Sequence, residues 1–218
     1  MGRRLKGLVS MFKVGKQLFT AEGPRAVHQL SKLGAGIFLD LKFHDIPNTV
    51  AGAIASAAQL PGVRLVNVHT TGGLEMMRAA AKAARSSKKR VKVLGVTVLT
   101  SMNAAAMRQV GLGGPPASRV IKLAKLAKKA GLDGVVASAR EAAAIRHACG
   151  KNFIVLVGGV RPAGAARSDQ SRIATPGRAI RAGVDYVVVG RPVTTATNPR
   201  AAAQAIVDEI AAALRSRH

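Results

Sequence analysis

Apolar and polar positions along the chain follow two alternating periods. Short apolar, often β-branched runs near 11–15, 36–43, 65–70, 91–99, 134–138, 153–158 and 186–190 predict strands. Between them, Ala-rich amphipathic stretches at 23–33, 47–59, 73–86, 117–130, 139–148, 176–182 and 199–216 predict helices. Pro24, Pro47, Pro176 and Pro199 stand at helix starts, where a lost N–H has no partner to lose, and Gly34, Gly131 and Gly183 stand just past helix ends. Strand and helix in strict alternation indicate a parallel sheet covered by helices, so the fold class is α/β with seven readable strands. No linker, low-complexity tract or second domain is visible, and 1–218 reads as a single domain with ample length for one core. The longest irregular stretches, about 101–116 and 159–175, follow predicted strands. They lie where parallel α/β folds build sites, and their Gly and Ala content makes them candidate closing loops.

One strand breaks the apolar pattern. Residues 38–49, Phe-Leu-Asp-Leu-Lys-Phe-His-Asp-Ile-Pro-Asn-Thr, hold Asp40, Lys42 and Asp45 inside a run otherwise built for burial. Strand alternation predicts Asp40 and Lys42 on one face, Leu39 and Leu41 on the other, and Asp45 at the strand end. Removing ions from water costs several kcal/mol each unless they are paired and hydrogen-bonded. Spacing alone leaves two readings open: a structural ion pair in the core, or catalytic groups at the strand end where such folds place them.

Charge changes the picture less than its size suggests. Thirty-four Lys and Arg against ten Asp and Glu give a net charge of +24, which raises the question of a nucleic-acid partner. The cations are spread over predicted helices (Arg25, Lys32, Arg78, Lys82, Arg85, Lys122, Lys125, Lys128, Lys129, Arg178, Arg181, Arg215) and concentrate only around 86–92. Single-strand binders stack bases on aromatics, and this chain has one Tyr, five Phe and no Trp. We therefore expect a solvated basic surface and no specific nucleic-acid partner. The lone Cys149 excludes an internal disulfide and suits a reducing compartment. No apolar run approaches the roughly 20 residues of a membrane span, and Lys13 interrupts the brief apolar stretch at the start before it can serve as a signal peptide. The expected location is the cytoplasm.

The twelve-residue string resembles the signature of the orotidine 5'-monophosphate decarboxylases, which complete pyrimidine nucleotide synthesis. Further segments resemble the same family in the same order: Phe12-Lys13-Val14-Gly15-Lys16, Val66-Asn67-Val68-His69, Val96-Thr97-Val98-Leu99-Thr100-Ser101-Met102, Gly159-Val160-Arg161-Pro162, Asp169-Gln170 and Val189-Gly190-Arg191-Pro192-Val193-Thr194. The resemblance implies a (β/α)8 barrel of the TIM type and decarboxylation of orotidine 5'-monophosphate to uridine 5'-monophosphate without a cofactor. It implies Lys42 as the group that stabilises charge at C6 and delivers the proton, with Asp40 holding it. Asp45 and Thr49 would reach into the neighbouring subunit's site, making a homodimer with shared active sites. Lys13 would meet the ribose side, Thr100 the base, Gln170 both phosphate and pyrimidine, and Arg161 the phosphate from a closing loop. Gly190 and Arg191, after the last predicted strand, match the position where this fold commonly binds phosphate.

Two departures and two alternatives qualify these expectations. Family members usually begin with a strand ending in Ala-Leu-Asp, whereas this chain opens on what resembles the end of the following helix. About thirty residues, the size of one βα unit, are thus expected to be absent, with weakened activity and stability. Val157-Gly158-Gly159 replaces the usual Thr-Pro-Gly, which should loosen the start of that loop. Asp40, Asp45, His44 and His69 also suggest a metal site, as in the magnesium-dependent sugar-phosphate decarboxylases and aldolases that resemble this chain less. Those relatives carry a glutamate where Lys13 stands, and a cation there opposes metal binding. His44 and His69 are expected to pack or hydrogen-bond, and His28, His147 and His218 to lie on the surface. An inactive basic nucleotide- or polyanion-binding barrel is the remaining alternative.

Overall fold

The fold was analysed in a computed structural model, which describes residues 1–161 and 174–216. Seven strands alternate with helices in chain order: β1 (Met11–Gly15), α1 (Lys16–Glu22), α2 (Pro24–Ser31), β2 (Gly36–Phe43), α3 (Pro47–Gln59), β3 (Val63–His69), α4 (Gly73–Arg85), β4 (Lys92–Val96), α5 (Ala104–Gln109), α6 (Pro116–Lys129), β5 (Gly134–Ala137), α7 (Ala142–Cys149), β6 (Ile154–Val157), α8 (Pro176–Arg181), β7 (Tyr186–Val187), α9 (Arg191–Thr194) and α10 (Pro199–Arg215). The chain falls into two compact units, one of residues 1–96 with 126–133, the other of 97–125 with 134–218.

In the first unit β1, β2, β3 and β4 pair in sequence order, all parallel. Both faces of β2, β3 and β4 are covered over much of their length, so they read as near-continuous apolar runs: Ile37, Leu39, Leu65, Val66, Val68, Val93 and Leu94 are all buried, whereas in β1 buried Phe12 and Val14 flank an exposed Lys13. Helices α3 and α4 pack on each other, and the small side chains Ala57, Ala58, Ala80, Ala81 and Ala84 on their buried faces allow close approach. In the second unit β5, β6 and β7 pair in parallel, and the N–H and hydroxyl of Thr97 both reach the Val136 carbonyl, at 3.1 and 2.9 Å.

A short sequence recurs at the helix-to-strand joints of both units. Ala130-Gly131-Leu132-Asp133 and Ala182-Gly183-Val184-Asp185 each end a helix on a glycine with positive φ (82° and 94°), which a side chain would strain. The N–H of the next residue then bonds back into the helix, Leu132 to Ala127 and Val184 to Ala179. The aspartate that follows grips the start of the neighbouring strand. Asp133 accepts from Val93 N–H at 2.8 Å and donates its own N–H to the Val93 carbonyl, and Asp185 does the same with Val155 at 2.7 Å. Asp185 also pairs with Arg146 at 2.7 Å, whose guanidinium further donates to the carbonyls of Gly150, Lys151, Phe153 and Gly183. Replacing Asp185 by Ala leaves a strand amide and a guanidinium without their carboxylate. We expect a loss of about 1–2 kcal/mol, seen as a melting temperature several degrees lower, whereas Asp208→Ala on the exposed face of α10 should shift it far less.

The predicted strands and helices fall near where expected, but β4 ends at Val96 and β7 at Val187, short of the expected 99 and 190, and three further differences occur. Residues 16–22 form α1, 191–194 form α9, and 101–116 is not wholly irregular: Ala104–Gln109 is helical, its first turn capped by the Asn103 side chain accepting from Ala106 N–H at 2.9 Å. Most of 159–175 lies outside the described residues. All twelve cations named above on predicted helices are exposed, as are His28 and His147, and Cys149 is buried. His218 lies outside the described residues. Among the described residues no helix is long and apolar enough to cross a membrane.

Candidate active site

The charged residues of β2 gather at its carboxyl end, but not by simple strand alternation. Leu39 pairs with Val66 and Phe43 with Val68, so three residues of β2 (Asp40, Leu41, Lys42) face one residue of β3, Asn67. This bulge turns the backbone, and Lys42 adopts φ of 51°, the one positive-φ non-glycine among the described residues. That conformation costs an L-residue roughly 1–2 kcal/mol, so the surrounding structure must enforce it. Asp40 and Lys42 do come together as expected, but across a bulge rather than a regular strand, and Leu41 is only half-buried.

Lys42 Nζ bonds Asp40 Oδ1 at 2.7 Å, and Lys13 Nζ lies 3.7 Å from Asp40 Oδ2. Lys13 is brought there by the β1–β2 register, which sets Gly15 opposite Asp40. Its ammonium occupies the space a Cβ at Gly15 would take, 2.6 Å from the ideal Cβ position. Asp40 is thus flanked by two ammonium groups while its side chain is only 14% exposed, a depth at which paired charges are screened little. Asn67, fully buried in β3, completes the group. Its Nδ2 donates to Asp40 Oδ1 at 2.7 Å and its Oδ1 accepts from Lys42 N–H at 2.8 Å.

Two histidines lie beside this array. The rings of His44 and His69 are tilted against each other with centroids 5.4 Å apart. Gly72 leaves room for them, since a Cβ there would come within 3.1 Å of His44 and closer still to Met76. The pKa of His69 is lowered from 6.5 to about 4, first by burial and then by electrostatic repulsion from His44, Lys16 and Lys42, with Asp40 opposing. His69 is therefore neutral at pH 7 and adds no charge next to Lys42. The unfolded chain takes up this proton below about pH 6.5 and the folded chain only below about 4, so stability present above 6.5 is lost as pH falls through that window. His69→Gln should flatten the fall in melting temperature between pH 6.5 and 4. An unchanged slope would assign the acid sensitivity elsewhere.

Of the remaining expected residues, Asp45 and Thr49 belong to the first unit. Asp45 is exposed and accepts from Ile46 N–H at 2.6 Å; Ile46 is 65% exposed and Thr49 is also at the surface. Thr100, Arg161, Gly190 and Arg191 belong to the second unit. Arg161 is buried, and its N–H donates to the Ala174 carbonyl. Gly190 is exposed at the start of α9, whose first residue is Arg191. Gln170 lies outside the described residues, as do Pro162 and Asp169. Among the described residues no group of three or more His, Cys, Asp or Glu is arranged to hold a metal ion. Sequence reasoning assigned Asn67 no role. The available signal was an amide side chain between two valines of a buried strand, a placement that is costly without partners.

A parallel β/α repeat with a lysine–carboxylate array toward the carboxyl end of β2 places the chain in the α/β class, whose members carry their chemistry at strand ends. Comparison with known proteins refines that class. The family profile described as orotidine 5'-phosphate decarboxylase / HUMPS matches residues 3–206, and the chain belongs to this family. It is 54% identical over 211 residues to the orotidine 5'-phosphate decarboxylase of Geobacter sulfurreducens, covering 95% of this chain and 88% of that one. It is 56% identical over 201 residues to the protein of the same name from Halorhodospira halophila, covering 92% and 85%. Among solved structures, that of orotidine 5'-phosphate decarboxylase from Lactobacillus acidophilus superposes with a TM-score of 0.79 at 37% identity, covering 91% of this chain and 85% of that one.

Proposed function

We propose that this chain decarboxylates orotidine 5'-monophosphate to uridine 5'-monophosphate without a cofactor, and that Lys42 carries the chemistry. The observation that bears most weight is the Lys13–Asp40–Lys42 array, with Lys42 held in a left-handed backbone at a strand end. When the bond from C6 to the carboxylate breaks, carbon dioxide leaves and the electron pair stays on C6, where no adjacent group can delocalise it. Enzymes lower barriers by roughly 8–23 kcal/mol, and this step needs the upper part of that range. The Lys42 ammonium stabilises the developing charge and then gives its proton to C6; the neutral amine is reprotonated from solvent. Asp40 holds the ammonium in place.

Substrate recognition follows the family pattern residue by residue. Lys13 meets the ribose side and Thr100 the base, while Gln170 links phosphate and pyrimidine. Gly190, Arg191 and Arg161 take the phosphate, the glycine by close backbone approach and the arginines with planar forks of donors. Binding energy from that remote group is available to organise the reactive complex. Asp45 and Thr49 serve the active site of a second subunit in a homodimer. Their exposure leaves both side chains accessible to a second subunit, which is what this reading requires. The enzyme works in the cytoplasm.

A spectrophotometric assay of orotidine monophosphate loss, with and without EDTA, tests the proposal. Turnover unaffected by the chelator is expected. Activity lost with EDTA would point to the magnesium-dependent relatives, and no turnover with retained nucleotide binding would point to an inactive barrel.

A further inference from the structure

We propose that Asn67 is the positioning residue of the active site: its carboxamide sets both the backbone from which Lys42 extends and the carboxylate oxygen that Lys42 grips. The inference rests on the assignment of Lys42 as the proton donor. Asn67 alone stands opposite the three bulged residues of β2, so a ladder that would otherwise run backbone to backbone is completed there by a side chain. Its two polar ends do different work. The oxygen accepts from Lys42 N–H at 2.8 Å, holding the residue at φ of 51°; the nitrogen donates to Asp40 Oδ1 at 2.7 Å, the same oxygen that receives Lys42 Nζ at 2.7 Å. One buried group thus fixes the root of the lysine and the anchor of its tip. Aspartate and lysine at positions 40 and 42 do not suffice for this geometry, because a regular strand would carry Lys42 with an ordinary extended backbone.

No other residue type of this size supplies both ends. Leucine fills the space with neither donor nor acceptor, and aspartate keeps the acceptor but replaces the donor with a second negative charge beside Asp40. These differences separate positioning from mere support of the fold. The charged and titratable groups around Lys42 are Asp40, Lys13 through the other Asp40 oxygen, and His69, itself flanked by His44 and Lys16. The alkaline limb of turnover reports loss of the Lys42 proton, and this setting should change in opposite senses in two variants. In Asn67→Ala the Asp40 carboxylate is untethered, the ammonium is less firmly paired, and the limb moves to lower pH. In Asn67→Asp an added carboxylate favours the ammonium, and the limb moves to higher pH.

The experiment measures kcat and KM across pH for both variants, with uridine monophosphate binding by calorimetry to count intact sites, and with Lys42→Ala alongside. Expected are a kcat per binding site at least a hundredfold below the parent in both variants, KM changed less than kcat, and limbs displaced in opposite directions. Parent-like kcat per binding site, or limbs that do not move, would overturn the proposal. If Asn67→Ala fails to fold, the isosteric Asn67→Asp decides alone: a kcat per binding site at least a hundredfold lower with the limb at higher pH supports the proposal, and parent-like kcat or an unmoved limb overturns it. Should Lys42→Ala itself retain turnover, the assignment of the proton donor fails, an outcome distinct from failure of the role given to Asn67.

Discussion

Lys42→Ala is expected to abolish decarboxylation while leaving uridine monophosphate affinity within about tenfold, or about 1.4 kcal/mol. Losing one preorganised charge at a reacting centre costs a factor of about 10²–10³, and losing a general acid about 10²–10⁴. A single side chain that does both should therefore cost at least about 10⁴ in turnover. Product affinity should survive because much of it comes from the phosphate end, remote from C6, and because the product lacks the carboxylate whose departure the ammonium assists. The fold should survive as well. Alanine at φ of 51° is strained about as much as lysine is, and Asp40 loses one partner but keeps Lys13 and Asn67, so the melting temperature should fall by only about a few degrees. Turnover above a hundredth of the parent, in a variant that binds the nucleotide normally, would remove Lys42 from the mechanism.

A larger contrast is expected from mixing two dead proteins. Asp45→Ala and Lys42→Ala subunits should each be inactive alone, yet regain activity together if every site draws Lys42 from one chain and Asp45 from the other. In a heterodimer one of the two sites then has both parent residues. With equal amounts and random exchange, half the dimers are mixed, so about a quarter of all sites should work. The measurement titrates one variant into the other at constant total protein and follows turnover, with subunit exchange demonstrated separately by mass-tagged chains. No recovery despite proven exchange would place Asp45 within the site of its own chain, or outside any site.

Much of the scaffold was legible because its physics is local. Buried parallel strands such as Ile37–Leu39 and Val66–Val68 are near-continuous apolar runs, and prolines at 24, 47, 176 and 199 mark helix starts whichever tertiary contacts follow. Short helices were harder to see. At six residues α5 is too brief for a periodic pattern, and its signal lies in the Asn103 cap. The site was legible in composition but not in conformation. Asp40, Lys42 and Asp45 were picked out by their charge in apolar surroundings and Lys13 by family resemblance, whereas the bulge between Asp40 and Lys42 leaves no trace in a period of two. Asn67 was visible as a buried amide, but which groups it satisfies depends on a register between β2 and β3 that no single strand encodes. His69 likewise depends on neighbours, since its depressed pKa follows from burial beside His44, Lys16 and Lys42 rather than from its own sequence context.

The left-handed backbone at Lys42 also restricts what evolution can try at that position. Valine, isoleucine and threonine are barred by their β-branches. Glycine, asparagine and aspartate, the residues most at home at φ near 50°, would relieve the strain but remove or invert the charge. Arginine keeps the charge yet cannot release a proton near neutral pH. Substitutions that would ease folding here are thus the ones that would end catalysis, and the conservative ones offer no thermodynamic reward. In a saturation library scored separately for abundance and for growth without supplied pyrimidine, position 42 should be among those where the two rankings diverge most.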